Sequence, residues 1–215
     1  MTSPALTLYH FPGACSRVTV CALEMAELAY ELKLINLRAR EQFDPAYLAM
    51  SKLGKVPLLL VDGVALTENP AIITLLAGWR PDAGILPADM TPWTRAEATG
   101  GLSFCSATLH PSVRGFANPA NVTNGDGEQV RNRSHELLVK NFGYANARLA
   151  ERGWWLDTQS IVDVYLDWAF SVACGAGFDP SPFPHVEALS QRLDQVPAYR
   201  RMQQEEIRSR IALGL

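Results

Sequence analysis

The chain has 215 residues and a net charge of −3, with 48% hydrophobic and 19% charged residues. This balance is typical of a globular protein, and the length allows one large domain or two small ones. The charge gives no reason to expect a nucleic-acid partner, and no stretch approaches the roughly 20 apolar residues that span a bilayer. Because the N-terminus also lacks the basic and apolar regions of a signal peptide, we predict a cytoplasmic protein with no membrane partner.

The first strand and helix frame a cysteine. An apolar run at 6–9 predicts a strand, a proline and glycine at 12–13 mark a turn, and apolar residues at helical spacing follow. Cys15 and Ser16 stand where this helix begins. The first backbone N–H groups of a helix lack partners and carry partial positive charge, which should lower the pKa of a thiol there. The sequence therefore predicts Cys15 as a reactive cysteine.

The other cysteines show no metal-site pattern. Cys21, Cys105 and Cys174 form no CxxC pair, and no Cys/His cluster has the spacing of a zinc site. Such cysteines are typically buried apolar side chains in a reducing compartment. We therefore expect no metal.

Strand and helix patterns continue to alternate along the first part of the chain. Residues 30–37 alternate as a half-buried strand, and an Asp-Pro pair opens a short helix at 44–49. Apolar runs at 57–61 and 64–66 flank an Asp-Gly pair, which is a strong hairpin signal.

A third helix completes this pattern, with Asn69 as its cap and Pro70 in its first turn. Strands joined through a helix pair in parallel, whereas a hairpin adds antiparallel strands. We therefore predict a mixed four-stranded sheet covered by helices. Ligands of such sheets bind beyond the carboxyl ends of the strands, which is where the 9–16 turn lies.

Beyond residue 79 the patterns change. Proline and glycine cluster at 80–91, so we place a linker there between domains 1–79 and 92–215. After the linker the strand signals vanish. Helices are predicted at 92–115, 128–152, 160–175, 184–194 and 197–210. The third of these begins with a capping-box pattern, Ser160 to Asp163.

Several of these segments together resemble the cytosolic glutathione transferases, and most of all their bacterial beta class. YHFPGACS at 9–16 is similar to the beta-class start, and GKVP at 54–57 is similar to a G-x-V-P segment with a cis-proline. LTENPAI at 66–72 is similar to L-x-E-S-x-A-I, and SIVD at 160–163 is similar to the family's capping box. The resemblance implies an α/β thioredoxin-like N-terminal domain followed by an all-α C-terminal helical domain.

Two positions depart from that family pattern, and the second departure leaves the role of a neighbouring histidine open. Asn69 replaces the family's serine, although its amide N–H can still face a carboxylate. Leu109-His110 is similar to a beta-class step that brings a histidine to the active site. The lysine that often follows is Pro111 here, so His110 is either an active-site residue or an ordinary helix-start histidine.

The resemblance implies glutathione as co-substrate, with one partner for each of its parts. Val56, next to the cis-proline Pro57, would pair with the cysteinyl backbone like an added strand. Glu68 would take the γ-glutamyl ammonium, and Asn69 with its helix N-terminus the carboxylate. Lys55 is a candidate contact to a glutathione carboxylate. The glutathione sulfur would then lie near Cys15 and Ser16.

Two chemistries remain open at that sulfur. In conjugation, Ser16 or Tyr9 stabilises a glutathione thiolate that attacks an electrophile. In thiol exchange, Cys15 forms a mixed disulfide with glutathione. The cysteine favours exchange or a mixture of the two, since Ser16 can serve merely as a helix cap and Tyr9 as a packing residue.

We therefore predict a glutathione transferase with a role in detoxification and with possible thiol transferase or disulfide reductase activity. Its partners would be a small electrophile or disulfide and a second copy of the chain in a homodimer. Two alternatives stay open: a non-catalytic ligand-binding protein on the same fold, and a substrate-specific glutathione-dependent lyase or isomerase.

Overall fold

The computed structural model describes residues 4–215, which divide into two compact units. The first unit contains the chain up to Ile85 together with Val196–Leu215, and the second is Leu86–Gln195. The boundary between them falls inside the linker predicted at 80–91. The last helix, however, groups with the first unit and not with the helices that precede it in sequence. Within residues 4–215 no helix combines the length and the apolar character needed to cross a membrane.

The regular elements alternate early in the chain and are helical afterwards. The strands are β1 (Leu6–His10), β2 (Glu31–Leu34), β3 (Leu58–Val61) and β4 (Val64–Thr67). The helices are α1 (Ser16–Ala26), α2 (Pro45–Met50), α3 (Asn69–Trp79), α4 (Pro92–Ser103), α5 (His110–Ala117), α6 (Gly127–Arg152), α7 (Ile161–Gly175), α8 (Pro184–Leu193) and α9 (Pro197–Ala212). Short 3₁₀ turns lie at Glu41–Phe43, Pro81–Ala83 and Pro119–Asn121.

The sheet of the first unit has the order β2-β1-β3-β4. β1 runs parallel to β2 and antiparallel to β3, and β3 pairs antiparallel with β4. This confirms the predicted mixed four-stranded sheet. The hairpin turns at Asp62 and Gly63, whose φ angles of 49° and 83° are the left-handed values that a tight two-residue link requires.

Helix α1 forms much of the core of this unit. Its Val18, Ala22 and Leu23 side chains are fully buried, and the helix packs against α3 and α9. Burying a valine or leucine side chain stabilises a fold by about 1.5–3 kcal/mol. The turn that carries Cys15 is thus attached to a rigid element.

The second unit contains a widened turn that the sequence did not predict. Residues 92–117 follow one helical path, but Phe104–Leu109 is a π-helix between α4 and α5. Pro111, just inside α5, has no N–H, and its ring crowds the carbonyl one turn earlier. We attribute the wider turn to this proline, since π-turns absorb such a break. His110 is the first residue after the π-helix.

The predicted capping box at the start of α7 is confirmed. The Asp163 carboxylate accepts hydrogen bonds from the N–H groups of Ser160 (2.9 Å) and Trp155 (2.8 Å) and from the Ser160 hydroxyl (3.0 Å). Asp163 is fully buried, and this burial raises its pKa to about 6. The box therefore fixes the start of a helix that lies almost wholly in the core of its unit.

Candidate functional site

Cys15 lies in the tight turn between β1 and α1. The Ala14 N–H donates to the Phe11 carbonyl (3.1 Å) and closes this turn. Gly13 has a φ of 84°, a left-handed conformation that favours glycine. Cys15 itself is only 8% exposed, immediately precedes α1, and directs its thiol to the Val56 carbonyl oxygen at 3.6 Å. The structure thus brings the predicted cysteine to the predicted backbone-binding residue.

Ser16, by contrast, points into the protein. It is fully buried, and its Oγ lies 2.8 Å from Nδ1 of His10. The same oxygen accepts from the Phe11 N–H (3.3 Å) and is placed to donate to the Phe11 carbonyl (3.4 Å). Its hydrogen-bonding capacity is therefore used within the fold.

His10 continues this buried network into the last helix. Its Nε2 lies 3.0 Å from Oε1 of Glu206 on α9, at ion-pair distance but without aligned hydrogen-bond geometry. The other oxygen of Glu206 accepts a 2.6 Å hydrogen bond from the Gly13 N–H. A charge-assisted bond of this length is among the strong ones. Glu206 thereby links α9 to the end of β1 and to the middle of the Cys15 turn.

The segment Lys55–Pro57 is fixed by hydrogen bonds that side chains of α2 and its end donate to the Lys55 carbonyl. The Val56–Pro57 peptide bond is cis, as the resemblance implied. The Lys55 carbonyl accepts from the Tyr47 hydroxyl (2.7 Å) and from the Ser51 hydroxyl (3.3 Å). The Lys55 side chain is exposed, and Val56 and Pro57 are buried.

Glu68 and Asn69 begin α3 in different ways. Glu68, not Asn69, occupies the cap position, which corrects the predicted cap. Its φ is 72°, a conformation that costs a non-glycine residue free energy and recurs at ligand-binding clamps, and its side chain is exposed. Asn69 is buried, because its amide is hydrogen-bonded to the Cys15 carbonyl (3.0 Å) and to the Thr19 hydroxyl (2.7 Å).

Comparison with known proteins agrees with this arrangement. Residues 4–78 match the family model described as the glutathione S-transferase N-terminal domain. The chain is 34% identical over 193 residues to the glutathione S-transferase GST-4.5 of Xanthomonas campestris, covering 87% of this chain and 92% of that protein. The chain belongs to the glutathione S-transferase family. It is also 29% identical over 200 residues to a maleylacetoacetate isomerase of Pseudomonas aeruginosa, covering 91% and 93% of the two chains.

Solved glutathione S-transferases have the same fold. The beta-class enzyme of Sphingomonas chungbukensis superposes with a TM-score of 0.81 at 28% identity, over 93% of this chain and 98% of that one. A sphingomonad glutathione S-transferase in complex with glutathione superposes with the same score at 27% identity and the same coverage. The first unit is therefore the family's thioredoxin-like domain with α9 added, and the second is its all-helical domain.

Two further residues proposed for catalysis in this glutathione S-transferase each contact neighbours within their own unit. The Tyr9 hydroxyl donates to Sδ of Met50 (3.8 Å), and its ring packs edge-on against Tyr47, 5.6 Å between centroids. These contacts favour packing as its role. His110 belongs to the second unit, where its ring meets Trp168 edge-on at 4.6 Å.

The sequence interpretation missed His10 and Glu206. One signal was present, since Leu6, Leu8 and His10 alternate along β1 and so share its buried face. Glu206 carries no comparable signal, because its partners lie more than 190 residues away along the chain. Within residues 4–215, no three His, Cys, Asp or Glu side chains are grouped as metal ligands would be.

Proposed function

We propose that this glutathione transferase uses the Cys15 thiol to act on the glutathione sulfur, in thiol–disulfide exchange and in conjugation to electrophiles. One observation carries the proposal: the Cys15 sulfur lies 3.6 Å from the Val56 carbonyl. That carbonyl is the group expected to accept the cysteinyl N–H of glutathione, in the manner of an added strand. A glutathione bound there would have its own sulfur beside Cys15.

Thiol exchange would proceed in two displacements. The Cys15 thiolate attacks the glutathione sulfur of a mixed disulfide, forms a Cys15–glutathione disulfide and releases the substrate thiolate. A second glutathione thiolate then attacks that disulfide, which yields oxidised glutathione and regenerates the Cys15 thiolate. In conjugation, the Cys15 thiol would instead donate a hydrogen bond to a glutathione thiolate that attacks the electrophile.

The remaining parts of glutathione would be held by neighbouring residues. Glu68, whose exposed carboxylate stands at the start of α3, would pair with the γ-glutamyl ammonium, and the backbone at Asn69 would face the carboxylate. Lys55 would contact a glutathione carboxylate from its exposed position beside Val56 and Pro57. His110 stays our candidate for the second-substrate side.

The decisive experiment compares Cys15→Ala with Ser16→Ala. We expect Cys15→Ala to reduce glutathione-dependent disulfide reduction by about 100-fold or more, because the covalent intermediate cannot form. Ser16→Ala should lose about 1–3 kcal/mol of stability, since it leaves His10 and Phe11 groups unpaired, but retain disulfide reduction. If Cys15→Ala keeps wild-type reduction and Ser16→Ala abolishes it, the roles are the reverse of those proposed.

Calorimetric titration with glutathione separates this proposal from a non-catalytic carrier of other ligands. We expect binding in the micromolar to millimolar range, typical of an enzyme's co-substrate. A protein that binds no glutathione cannot perform either chemistry.

A glutathione-dependent isomerase is the second candidate, favoured by the similarity to the Pseudomonas aeruginosa maleylacetoacetate isomerase. Isomerisation through reversible addition of the glutathione thiolate would leave glutathione unconsumed. Turnover of maleylacetoacetate at constant glutathione concentration would support it, whereas consumption of one glutathione per product would support conjugation.

A homodimer and a cytoplasmic location belong to the same proposal. Trp93 on α4 and Tyr144 on α6 expose large aromatic side chains that an interface between two copies would cover. The four cysteines, all within residues 4–215, form no disulfide there, which suits a reducing compartment. Light scattering during size-exclusion chromatography would test the dimer: a mass of twice 23.6 kDa is expected, and a monomer at micromolar concentration would contradict it.

A further inference from the structure

Asn69 makes contacts that differ from those of a ligand-binding side chain. The residue is 2% exposed at the first position of α3, and its Nδ2 donates to the Cys15 carbonyl at 3.0 Å. Its Oδ1 accepts from the Thr19 hydroxyl at 2.7 Å. A carbonyl oxygen can only accept, so the amide nitrogen must face Cys15, and the hydroxyl must then donate to Oδ1. The orientation of the amide is thus fixed by chemistry.

These two bonds join α3 to the start of α1. The Cys15 carbonyl also accepts the Val18 N–H at 3.1 Å, a hydrogen bond in the first turn of α1. Asn69 therefore holds the same carbonyl that begins the helix, while Thr19 anchors the amide one turn further along. A substitution that removes these bonds would leave the buried Cys15 carbonyl with one hydrogen-bond partner fewer, which lowers the free energy of unfolding.

We propose that Asn69 is a positioning residue, which orients Cys15 for reaction instead of binding glutathione through its side chain. The proposal rests on the function proposed above for Cys15. It assigns to the asparagine a role that the serine expected from the family pattern is too short to fill, since one hydroxyl cannot both donate to Cys15 and accept from Thr19 across this gap. Glutathione would then meet only the backbone of α3 at this position, and Pro70 contributes no N–H there.

The test measures Cys15 directly, in the absence of glutathione. Iodoacetamide alkylation of Cys15 is followed by peptide mass spectrometry as a function of pH, in the full-length wild-type protein and its variants. Asn69→Asp keeps the acceptor for Thr19 but turns a carboxylate toward the Cys15 carbonyl. Asn69→Ala removes both bonds, and Thr19→Val removes only the donor to Asn69. Thr74→Ala, an exposed change on the same helix, is the matched control.

We expect Asn69→Asp and Asn69→Ala to slow Cys15 alkylation at neutral pH by at least about threefold and to displace its pH profile upward. Their kcat should fall by about fivefold or more, with KM for glutathione within about twofold of wild type. Thr19→Val should lower the Cys15 alkylation rate and kcat by smaller factors, and Thr74→Ala should change neither quantity. If the alanine variant fails to fold, Asn69→Ser replaces it, because serine is polar but too short to make both bonds.

Two outcomes would overturn the proposal. A wild-type alkylation profile and kcat in Asn69→Ala, with KM for glutathione raised about tenfold or more, would make Asn69 a glutathione ligand. An unchanged alkylation profile, kcat and KM in every Asn69 variant would leave Asn69 without a functional role. A wild-type protein that binds no glutathione would instead defeat the proposed function, and the alkylation profiles would still decide whether Asn69 orients Cys15.

Discussion

Removal of the Glu206 carboxylate tests how far the last helix stabilises the Cys15 turn. Glu206→Ala deprives the Gly13 N–H of a 2.6 Å acceptor and leaves the buried His10 Nε2 without its 3.0 Å partner. Each buried polar group that loses its partner costs about 1–3 kcal/mol. The two costs overlap, because one carboxylate serves both groups. We therefore expect a loss of about 2–3 kcal/mol in the free energy of unfolding.

Urea denaturation followed by intrinsic fluorescence measures this loss, with Glu205→Gln as the control. Glu205 is the neighbouring residue on α9 and pairs with the exposed Arg208, so its substitution should cost less than about 1 kcal/mol. Glu206→Gln keeps an acceptor for the Gly13 N–H, so its loss of unfolding free energy should lie between those of Glu206→Ala and Glu205→Gln. If Glu206→Ala is no more destabilised than Glu205→Gln, the buried pair does not hold the turn in solution, and the network described above is wrong.

Three further predictions concern other groups. The native Asp163 carboxyl takes up its proton near pH 6 and the unfolded one near pH 3.8, so its titration stabilises the protein as pH falls from about 6 to about 4. Over that range the unfolding free energy of wild type should gain up to about 3 kcal/mol relative to Asp163→Asn, whereas equal pH slopes would contradict the raised pKa. Burial raises the pKa of both the Cys105 and Cys174 thiols, and Cys105 is fully enclosed. Mass spectrometry after brief alkylation should therefore find Cys105 unlabelled and Cys174 labelled slowly, and rapid native labelling of Cys105 would be inconsistent with its burial. Tyr9→Phe should leave kcat/KM within about twofold, because the hydroxyl is hydrogen-bonded to Met50, and a loss of about 100-fold would make Tyr9 catalytic.

The parts of the fold that local patterns encode were predicted well. Alternation in 30–37, the Asp-Gly hairpin at 62–63 and the capping box at 160–163 each depend on residues that are close in sequence, and each appears in the structure. The sheet order followed because connection rules leave few topologies for such elements. Cys15 at the start of α1 followed from the same local reasoning.

The parts that depend on distant residues were not predicted. No local pattern shows that α9 returns to the first unit, so the predicted domain 92–215 includes a helix that packs elsewhere. For the same reason local patterns predict Asn69 as a cap, whereas its amide is hydrogen-bonded to residues about 50 positions earlier. Pro111 did carry a local signal, since proline inside a helix removes a hydrogen bond, but the signal predicts a break without saying that a π-turn will absorb it.

The distribution of buried polar groups supports the proposal that the thiol, and not the neighbouring hydroxyl, acts on the glutathione sulfur. A buried polar side chain costs free energy unless it is hydrogen-bonded, so a fold that only needed a stable core would contain few of them. In the first unit, His10, Ser16, Thr19, Asn69 and Glu206 are all buried, and their bonds converge on the segment from His10 to Thr19. Ser16 belongs to this network and would have to break it in order to react. The bond from the Cys15 sulfur to the Val56 carbonyl is long and weak, so the thiol can leave that contact at little cost while the network keeps its backbone fixed.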